Sequence, residues 1–113
     1  GGQFVRGKSF DSFCPIGAWR SAEEVPDPQA LRIVTTLNGD VVQDGATADM
    51  IFSVRDIIAH LSQDTTLPAG TVLLTGTPSG VGAGKTPPRF LRGGDSVEVS
   101  IAGVGTLRNP VQA

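Results

Sequence analysis

The first regular pattern of hydrophobic and polar positions along the chain is typical of β-strands. β-branched and apolar residues fill positions 31–37, and Asn38-Gly39 separates them from a second such run at 40–43. Both central residues of a type I′ turn need positive φ, so Asn-Gly between two such runs is a strong signal of a β-hairpin. We therefore expect two antiparallel strands, followed by a polar loop over residues 44–47.

A helical period begins farther along the chain. Spacings of three, four and seven residues place a set of apolar side chains on one face of a helix. Ser53 precedes this set, and Asp56 lies three residues after Ser53, which is the pattern of a capping box. The sequence therefore predicts one helix beginning after Ser53, with an apolar face formed by Val54, Ile57, Ile58 and Leu61.

Two more runs predict strands in the second half of the chain. Residues 71–75 are apolar or β-branched and lie between two glycine-containing turns, so we expect a buried strand there. Residues 96–101 alternate between apolar and polar, as in a strand with one solvated face, and a short reversal leads into residues 106–109. The expected fold class is mainly β with one helix, a mixed β fold.

Composition and charge narrow the classes of function. The 113 residues include five Phe, one Trp and no Tyr, so aliphatic side chains must supply most of the core. A net charge of −2 with nine scattered Lys and Arg residues gives no footprint for nucleic acid. No apolar stretch approaches the roughly 20 residues that cross a bilayer, so we expect a soluble chain and no membrane partner. The single cysteine, Cys14, cannot form an internal disulfide, which fits a reducing compartment.

The glycine-rich segment 76–86 has two interpretations. Gly84-Lys85-Thr86 resembles the end of a phosphate-binding P-loop, but Ser79 occupies the place of its first glycine. Two prolines follow at once, and they disfavour the helix that a P-loop must open. In the second interpretation, the turn Gly76-Thr77-Pro78 presents backbone amides and a hydroxyl to a small anion.

Few other side chains are candidates for chemistry. Lys8, between a glycine and a serine, could bring a point charge to a carboxylate, although an exposed loop lysine is the simpler explanation when it is taken alone. Together with the Gly76-Thr77 turn, it would supply the ammonium, hydroxyl and amides that suit a carboxylate-bearing small molecule. Solvation explains His60 and the acidic cluster at 23–27 better than a metal site does.

Several motifs in order resemble the fumarylacetoacetate hydrolase family, in its acylpyruvase-like and 2-hydroxyhepta-2,4-diene-1,7-dioate isomerase-like branch. The resemblance covers residues 1–113 as the C-terminal portion of the catalytic domain. It implies part of a rolled β-sandwich, a homodimer, Mg²⁺ or Mn²⁺, and a cytoplasmic or, in a eukaryote, mitochondrial enzyme. The motifs are Gly7-Lys8-Ser9-Phe10-Asp11, Val41-Val42-Gln43 with Thr47 and Met50-Ile51-Phe52, Leu74 to Gly82, Pro88 with Phe90-Leu91, and Gly94-Asp95.

The same resemblance implies substrates and roles for residues. Members of the family hydrolyse, decarboxylate or isomerise 2-oxo and 2,4-dioxo acids. By position, Lys8 would be catalytic, lying against the metal site and the substrate oxygens, and Gly76 and Thr77 would hold the substrate carboxylate. Gln43, Thr47 and Met50 would belong to the loop before the helix, near a dimer contact. The pocket wall would be formed by Ser9, Phe10 and Asp11.

The metal ligands of the family, two glutamates and an aspartate, and its His-Glu pair would all lie upstream of the Gly-Lys-Ser-Phe motif. We therefore expect no metal ligand in this chain, and little or no activity from the chain by itself. The alternative, of a different class, is a noncatalytic β-domain that serves dimerisation or binds a partner.

Overall fold

The computed structural model describes residues 4–112. Four strands form most of the regular structure, and one helix of two turns accompanies them, so the expected fold class of mainly β with one helix is confirmed. An additional helical turn lies near the start of the described part. In chain order the elements are α1 (Phe4–Gly7), β1 (Arg32–Leu37), β2 (Asp40–Ala46), a 3₁₀ turn (Thr47–Asp49), α2 (Val54–Leu61), a second 3₁₀ turn (Gly82–Gly84), β3 (Ser96–Ile101) and β4 (Gly105–Pro110).

The strands form one antiparallel sheet in the order β2-β1-β3-β4. The predicted hairpin is confirmed, because Asn38 and Gly39 both adopt positive φ, at 55° and 92°. The loop predicted over residues 44–47 is wrong for its first part, since β2 continues to Ala46 and pairs with the start of β1. The backbone of β1 supplies ladder partners there, and these partners outweigh the polar character of the segment.

A β-bulge interrupts the pairing of β1 with β2. Thr35 pairs with Gln43 and Thr36 pairs with Val41, so Val42 is an extra residue in β2. A bulge of this kind bends a strand and changes the direction of the side chains that follow it. Gln43 is the first residue after the bulge, and its side chain lies on the same face of the sheet as that of its partner Thr35.

The sheet has one apolar face and one charged face. Cross-strand pairing places Val97, Val99 and Ile101 of β3 on the same side as alternate residues of β1, as the sequence pattern predicts. The opposite face carries two ion pairs, Arg32 to Asp44 and Arg108 to Glu98, each with a nitrogen–oxygen distance of 2.6 Å. The apolar face is therefore the one available for packing against other segments.

Helix α2 begins as the sequence predicts. The backbone N–H of Asp56 donates to Ser53 Oγ at 3.1 Å, and the backbone N–H of Ser53 donates to Asp56 Oδ2 at 3.0 Å, which completes the capping box. The side chain of Gln29 accepts from the N–H of Val54 at 2.7 Å and donates to the carbonyl of Thr47 at 2.8 Å. These bonds fix the start of the helix relative to the end of β2.

The strand predicted at residues 71–75 is wrong. The segment forms no strand, and Val72 and Leu74 expose 63% and 80% of their surface. An extended apolar segment becomes a strand only where a neighbouring backbone supplies hydrogen bonds. Within residues 4–112 the sheet consists of β1 to β4 alone, and it provides no such neighbour.

Much apolar surface faces solvent in the described part of the chain. The accessible surface is 9107 Å², whereas a compact monomer of this mass exposes about 5,900 Å². Among residues 4–112 no hydrophobic side chain is fully buried, so the aliphatic core that the composition predicts is only partly formed. Within the same residues no helix is long and apolar enough to span a membrane.

The loop after residue 76 lies directly on β2, and two glycines permit this contact. A Cβ atom on Gly45 would lie 2.8 Å from Pro78 Cβ. Gly80 has a φ of 101°, and a Cβ atom there would lie 2.3 Å from the carbonyl oxygen of Val42. Because neither distance is sterically tolerable, any larger residue would separate the loop from the strand.

A buried carboxylate holds the far end of the same loop. Asp95 is 8% exposed, the one polar residue of the described part that is classed as buried. It accepts hydrogen bonds from Asn38 Nδ2 at 2.9 Å, from Arg89 Nη2 at 2.9 Å and from the backbone N–H of Arg92 at 2.8 Å. These hydrogen bonds lower the pKa of Asp95. The bond from Asn38 has the largest effect, and the bond from the backbone of Arg92 has the next largest.

Replacing Gly80 tests the contact between the loop and β2. Gly80→Ala should lower the free energy of unfolding by more than the about 1–2 kcal/mol that a left-handed backbone costs a non-glycine residue, because the methyl group also meets a carbonyl. Gly70→Ala is the matched control, since Gly70 has a φ of 85° and open space around its Cβ position. Urea unfolding of both variants measures the difference, and equal losses would contradict the contact.

Asp95 should make stability depend on pH in the acid range. Its pKa is lowered in the folded state, so its stabilisation is complete above the ordinary aspartate value of about 3.9 and is lost as the pH falls through the folded pKa. Unfolding titrations from about pH 6 to about pH 2 should therefore show a steeper loss for wild type than for Asp95→Asn. Asp64→Asn, on the exposed loop after α2, serves as the control; an unchanged slope for Asp95→Asn would refute the role of this carboxylate.

Candidate functional site

A groove of about 670 Å³ lies between the end of β2 and the turn at 75–79. One wall is formed by residues 44–47 and the other by the turn, and Ile33 and Ile57 also line the groove. The segment Met50-Ile51-Phe52 adds an apolar side, and Ile51 is 92% exposed. The groove therefore combines a polar turn with an apolar wall.

The turn at Gly76-Thr77 has the conformation that the anion-binding interpretation requires. Gly76 has a φ of 97°, and a Cβ atom there would meet nothing within 4 Å, so glycine is needed for the backbone angle rather than for space. In residues 4–112 neither Gly76 nor Thr77 donates its backbone N–H to a carbonyl. Both residues are exposed and line the groove, so their amides and the hydroxyl are accessible to a ligand.

Gln43 contacts this turn from β2. Its side-chain nitrogen Nε2 lies 2.9 Å from Thr77 Oγ1, 2.8 Å from the carbonyl oxygen of Pro78 and 3.4 Å from that of Ser79. Gln43 lies in β2, as the strand predicted over residues 40–43 has it, and its assignment by resemblance to the loop before the helix is wrong, because β2 extends beyond it to Ala46. The ladder with β1 provides the backbone partners that keep this residue in a strand.

Thr47 lines the same groove, and its hydroxyl forms hydrogen bonds with the backbone of Leu31. Thr47 Oγ1 accepts from the N–H of Leu31 at 3.0 Å and donates to its carbonyl at 3.4 Å. The backbone N–H of Thr47 also donates to the Leu31 carbonyl, at 2.8 Å. Thr47 therefore shapes the groove by fixing the end of β2.

The predicted site residues 8–11 lie elsewhere, outside the lining of this groove. Lys8 follows α1, and its backbone N–H donates to the carbonyl of Val5 at 3.2 Å. Ser9 Oγ donates to the same carbonyl at 2.6 Å, and Phe10 packs edge-to-face against Phe13 with ring centroids 5.4 Å apart. The structure thus brings Gly76, Thr77, Gln43 and Thr47 together, while Lys8, Ser9, Phe10 and Asp11 are not part of that groove.

Besides Thr47, Thr75 and Thr77, three polar residues line the groove: Asp44, Asp49 and Ser79. Asp44 pairs with Arg32, and this hydrogen bond lowers the pKa of its carboxyl. The sequence pattern alone assigns none of these three residues to the site. Their nearness in the chain to Thr47 and Thr77 was the only signal that could have indicated them.

The segment after the turn does not form a P-loop. Residues Gly82–Gly84 form a 3₁₀ turn, and Lys85 is extended, with φ −80° and ψ 159°. The backbone N–H groups of Lys85 and Arg89 both donate to the carbonyl of Gly82, which closes a compact loop. The prediction that no helix begins at Lys85 is confirmed, and the geometry that would bind a nucleotide phosphate is missing from this segment.

The sequence of this chain is similar to those of two oxaloacetate tautomerases. The chain is 46% identical to the oxaloacetate tautomerase YisK of Bacillus subtilis over 110 residues, which are 96% of this chain and 36% of that protein. It is also 46% identical to the mitochondrial oxaloacetate tautomerase FAHD2A of Homo sapiens over 112 residues, 98% of this chain and 36% of that one. The chain thus spans little more than a third of the length of these relatives.

Solved structures extend the similarity to the fold. Fumarylacetoacetate hydrolase from Exiguobacterium antarcticum matches with a TM-score of 0.93 and 46% identity, over 98% of this chain and 40% of that one. Maleylpyruvate hydrolase from Sphingobium sp. SYK-6 matches with a TM-score of 0.85 and 35% identity, over 96% and 38%. The family model described as "Fumarylacetoacetate (FAA) hydrolase C-terminal" matches residues 2–112. With these matches and the shared fold, the chain belongs to the fumarylacetoacetate hydrolase family.

Proposed function

We propose that this chain supplies the carboxylate-binding side of a metal-dependent enzyme that cleaves or rearranges 2-oxo or 2,4-dioxo acids. The observation that carries the proposal is the Gly76-Thr77 turn, which lines a groove with its hydroxyl and with backbone amides that donate to no backbone carbonyl within residues 4–112. Relatives named for oxaloacetate and maleylpyruvate support it, because both compounds carry a 2-oxo group beside a carboxylate. Hydrolases, tautomerases and isomerases are all found among the similar proteins.

In this function the residues of the chain bind and orient the substrate. The Thr77 hydroxyl and the amides at 76 and 77 would donate hydrogen bonds to the substrate carboxylate, and such bonds to an anion are stronger than neutral ones. The family resemblance assigns an ammonium group at Lys8 to the substrate oxygens, and this role requires the segment 8–11, which lies outside the groove lining here, to face the groove in the full-length protein. The apolar wall at 50–52 would contact the remaining carbon skeleton.

The residues described here do not fit a metal site. Among residues 4–112 no three or more His, Cys, Asp or Glu side chains are grouped so that they could hold a metal ion. Mg²⁺ or Mn²⁺ would therefore be held by ligands in the remainder of a longer protein, whose length the relatives indicate. The full-length protein would be a homodimer in the cytoplasm or, as for the human relative, in mitochondria.

Thr77→Val should weaken substrate binding by the full-length protein. Loss of one hydrogen bond to a charged group costs about 1.5–3 kcal/mol, so KM should rise about tenfold or more. Steady-state assays on oxaloacetate and an acylpyruvate with Mg²⁺ measure this, with Thr77→Ser expected to stay close to wild type and the exposed Thr65→Val as a control. A full-length protein without turnover on a broad panel of oxo acids would refute the proposal.

The exposed apolar surface favours a second candidate function, a noncatalytic β-domain that dimerises or binds a partner. The surface of 9107 Å² includes large exposed side chains such as Val72, Leu74 and Ile51, which a partner could cover. This function predicts that the 113-residue chain forms a stable dimer whose dissociation constant does not respond to Mg²⁺. Sedimentation equilibrium with and without Mg²⁺ measures both, and a monomer over the whole concentration range would exclude dimerisation.

A further inference from the structure

The contact between Gln43 and the turn fixes which atom donates and which accepts. The carbonyl oxygen of Pro78 can only accept, so the Gln43 side-chain atom 2.8 Å away must be its NH₂ group. An amide nitrogen cannot accept a hydrogen bond, so the same group must also be the donor to Thr77 Oγ1 at 2.9 Å. The two hydrogens of Gln43 Nε2 are thus directed mainly to Thr77 Oγ1 and the carbonyl of Pro78, and the longer contact to the carbonyl of Ser79, at 3.4 Å, shares one of them.

This arrangement determines the direction in which the Thr77 hydroxyl can donate its proton. A hydroxyl has one proton to donate, and Thr77 Oγ1 is an acceptor in its contact with Gln43, so its own proton must point away from that amide. In residues 4–112 the structure places no acceptor against this proton. Thr77 is exposed and lines the groove, so the proton is available to a ligand there.

We infer that Gln43 is a positioning residue, which presents the Thr77 hydroxyl as a hydrogen-bond donor to the carboxylate of the substrate. The inference rests on the proposed function, because it assigns the acceptor in the groove to an oxo acid. An oriented donor favours a ligand group that only accepts, such as a carboxylate, over an amide or an amine of similar size.

Gln43 is itself held in place before any ligand binds. The residue pairs with Thr35 in the ladder directly after the bulge, and a Cβ atom on Gly80 would lie only 3.2 Å from Gln43 Cγ. The side chain is half-buried between the strand and the loop. Its amide therefore keeps its direction without an ordering cost when substrate arrives.

Two substitutions of Gln43 separate orientation of the hydroxyl from packing. Gln43→Met keeps the length of the side chain and removes the donor. Gln43→Glu keeps the shape and replaces the donor with acceptors, which would draw the Thr77 proton to themselves. Gln63→Met and Gln63→Glu are the matched controls, since Gln63 lies exposed in the loop after α2.

The experiment uses the full-length protein with oxaloacetate and Mg²⁺. Gln43→Met should raise KM about fivefold, as expected for one hydrogen bond, and Gln43→Glu should raise it further, with kcat changed less than KM in both. In a Thr77→Val background Gln43→Met should add less than about a twofold change, because the hydroxyl it acts through is gone. Melting temperatures of all variants identify any loss of folding.

Two kinetic results would overturn the inference. The first is an equal rise of KM on Gln43→Met in the wild-type and Thr77→Val backgrounds, which would assign Gln43 to loop structure alone. The second is an unchanged KM for Gln43→Met and Gln43→Glu alongside a raised KM for Thr77→Val, which would retain the proposed function and exclude the positioning role.

A spectroscopic measurement separates this inference from the proposed function. The side-chain amide resonances of Gln43 in ¹⁵N-glutamine-labelled protein should shift on Thr77→Val, while those of Gln63 should not. If they shift but Thr77→Val leaves KM unchanged for every oxo acid, the hydrogen bond stands and the proposed function fails. If they do not shift, the positioning role itself is wrong.

Discussion

The close approach of a loop backbone to the strand β2 is the constraint on which the candidate site depends. Glycines at positions 45 and 80 leave room for this approach, and the amide of Gln43 satisfies the loop carbonyls that come to lie on the strand. Carbonyl groups brought against a strand without such a donor would lose their hydrogen bonds with water. The polar turn at 76–77 thus has a fixed place beside the groove.

The β1–β2 hairpin anchors the loop at both of its ends. Gln43 in β2 holds the beginning, and Asn38 in the hairpin turn donates to Asp95 near the end. Between these anchors the chain makes a closed 3₁₀ turn at Gly82–Gly84. The hairpin, which the Asn38-Gly39 turn specifies, therefore fixes the position of a loop that lies more than thirty residues away in the chain.

Local signals predicted the parts of the fold whose partners are close in sequence. The Asn38-Gly39 turn and the Ser53 capping box were recognisable because each is completed within a few residues. The strand at 71–75 was wrongly predicted because a strand depends on a distant backbone neighbour, which its composition does not encode. The turn at 76–77 and the family resemblance both indicate Thr77 as a site residue. Its hydrogen bond to Gln43 depends on a β-bulge, which no local sequence pattern predicts.

The extra residue in β2 changes which side chains of the strand face each side of the sheet. With regular pairing Thr35 would face Val42, and Gln43 would lie opposite Val34, on the charged side of the sheet. One inserted residue reverses this alternation and transfers Gln43 and Gly45 together to the side where the loop lies. The contact surface for the loop is thus encoded by the number of residues in the strand as much as by their identities.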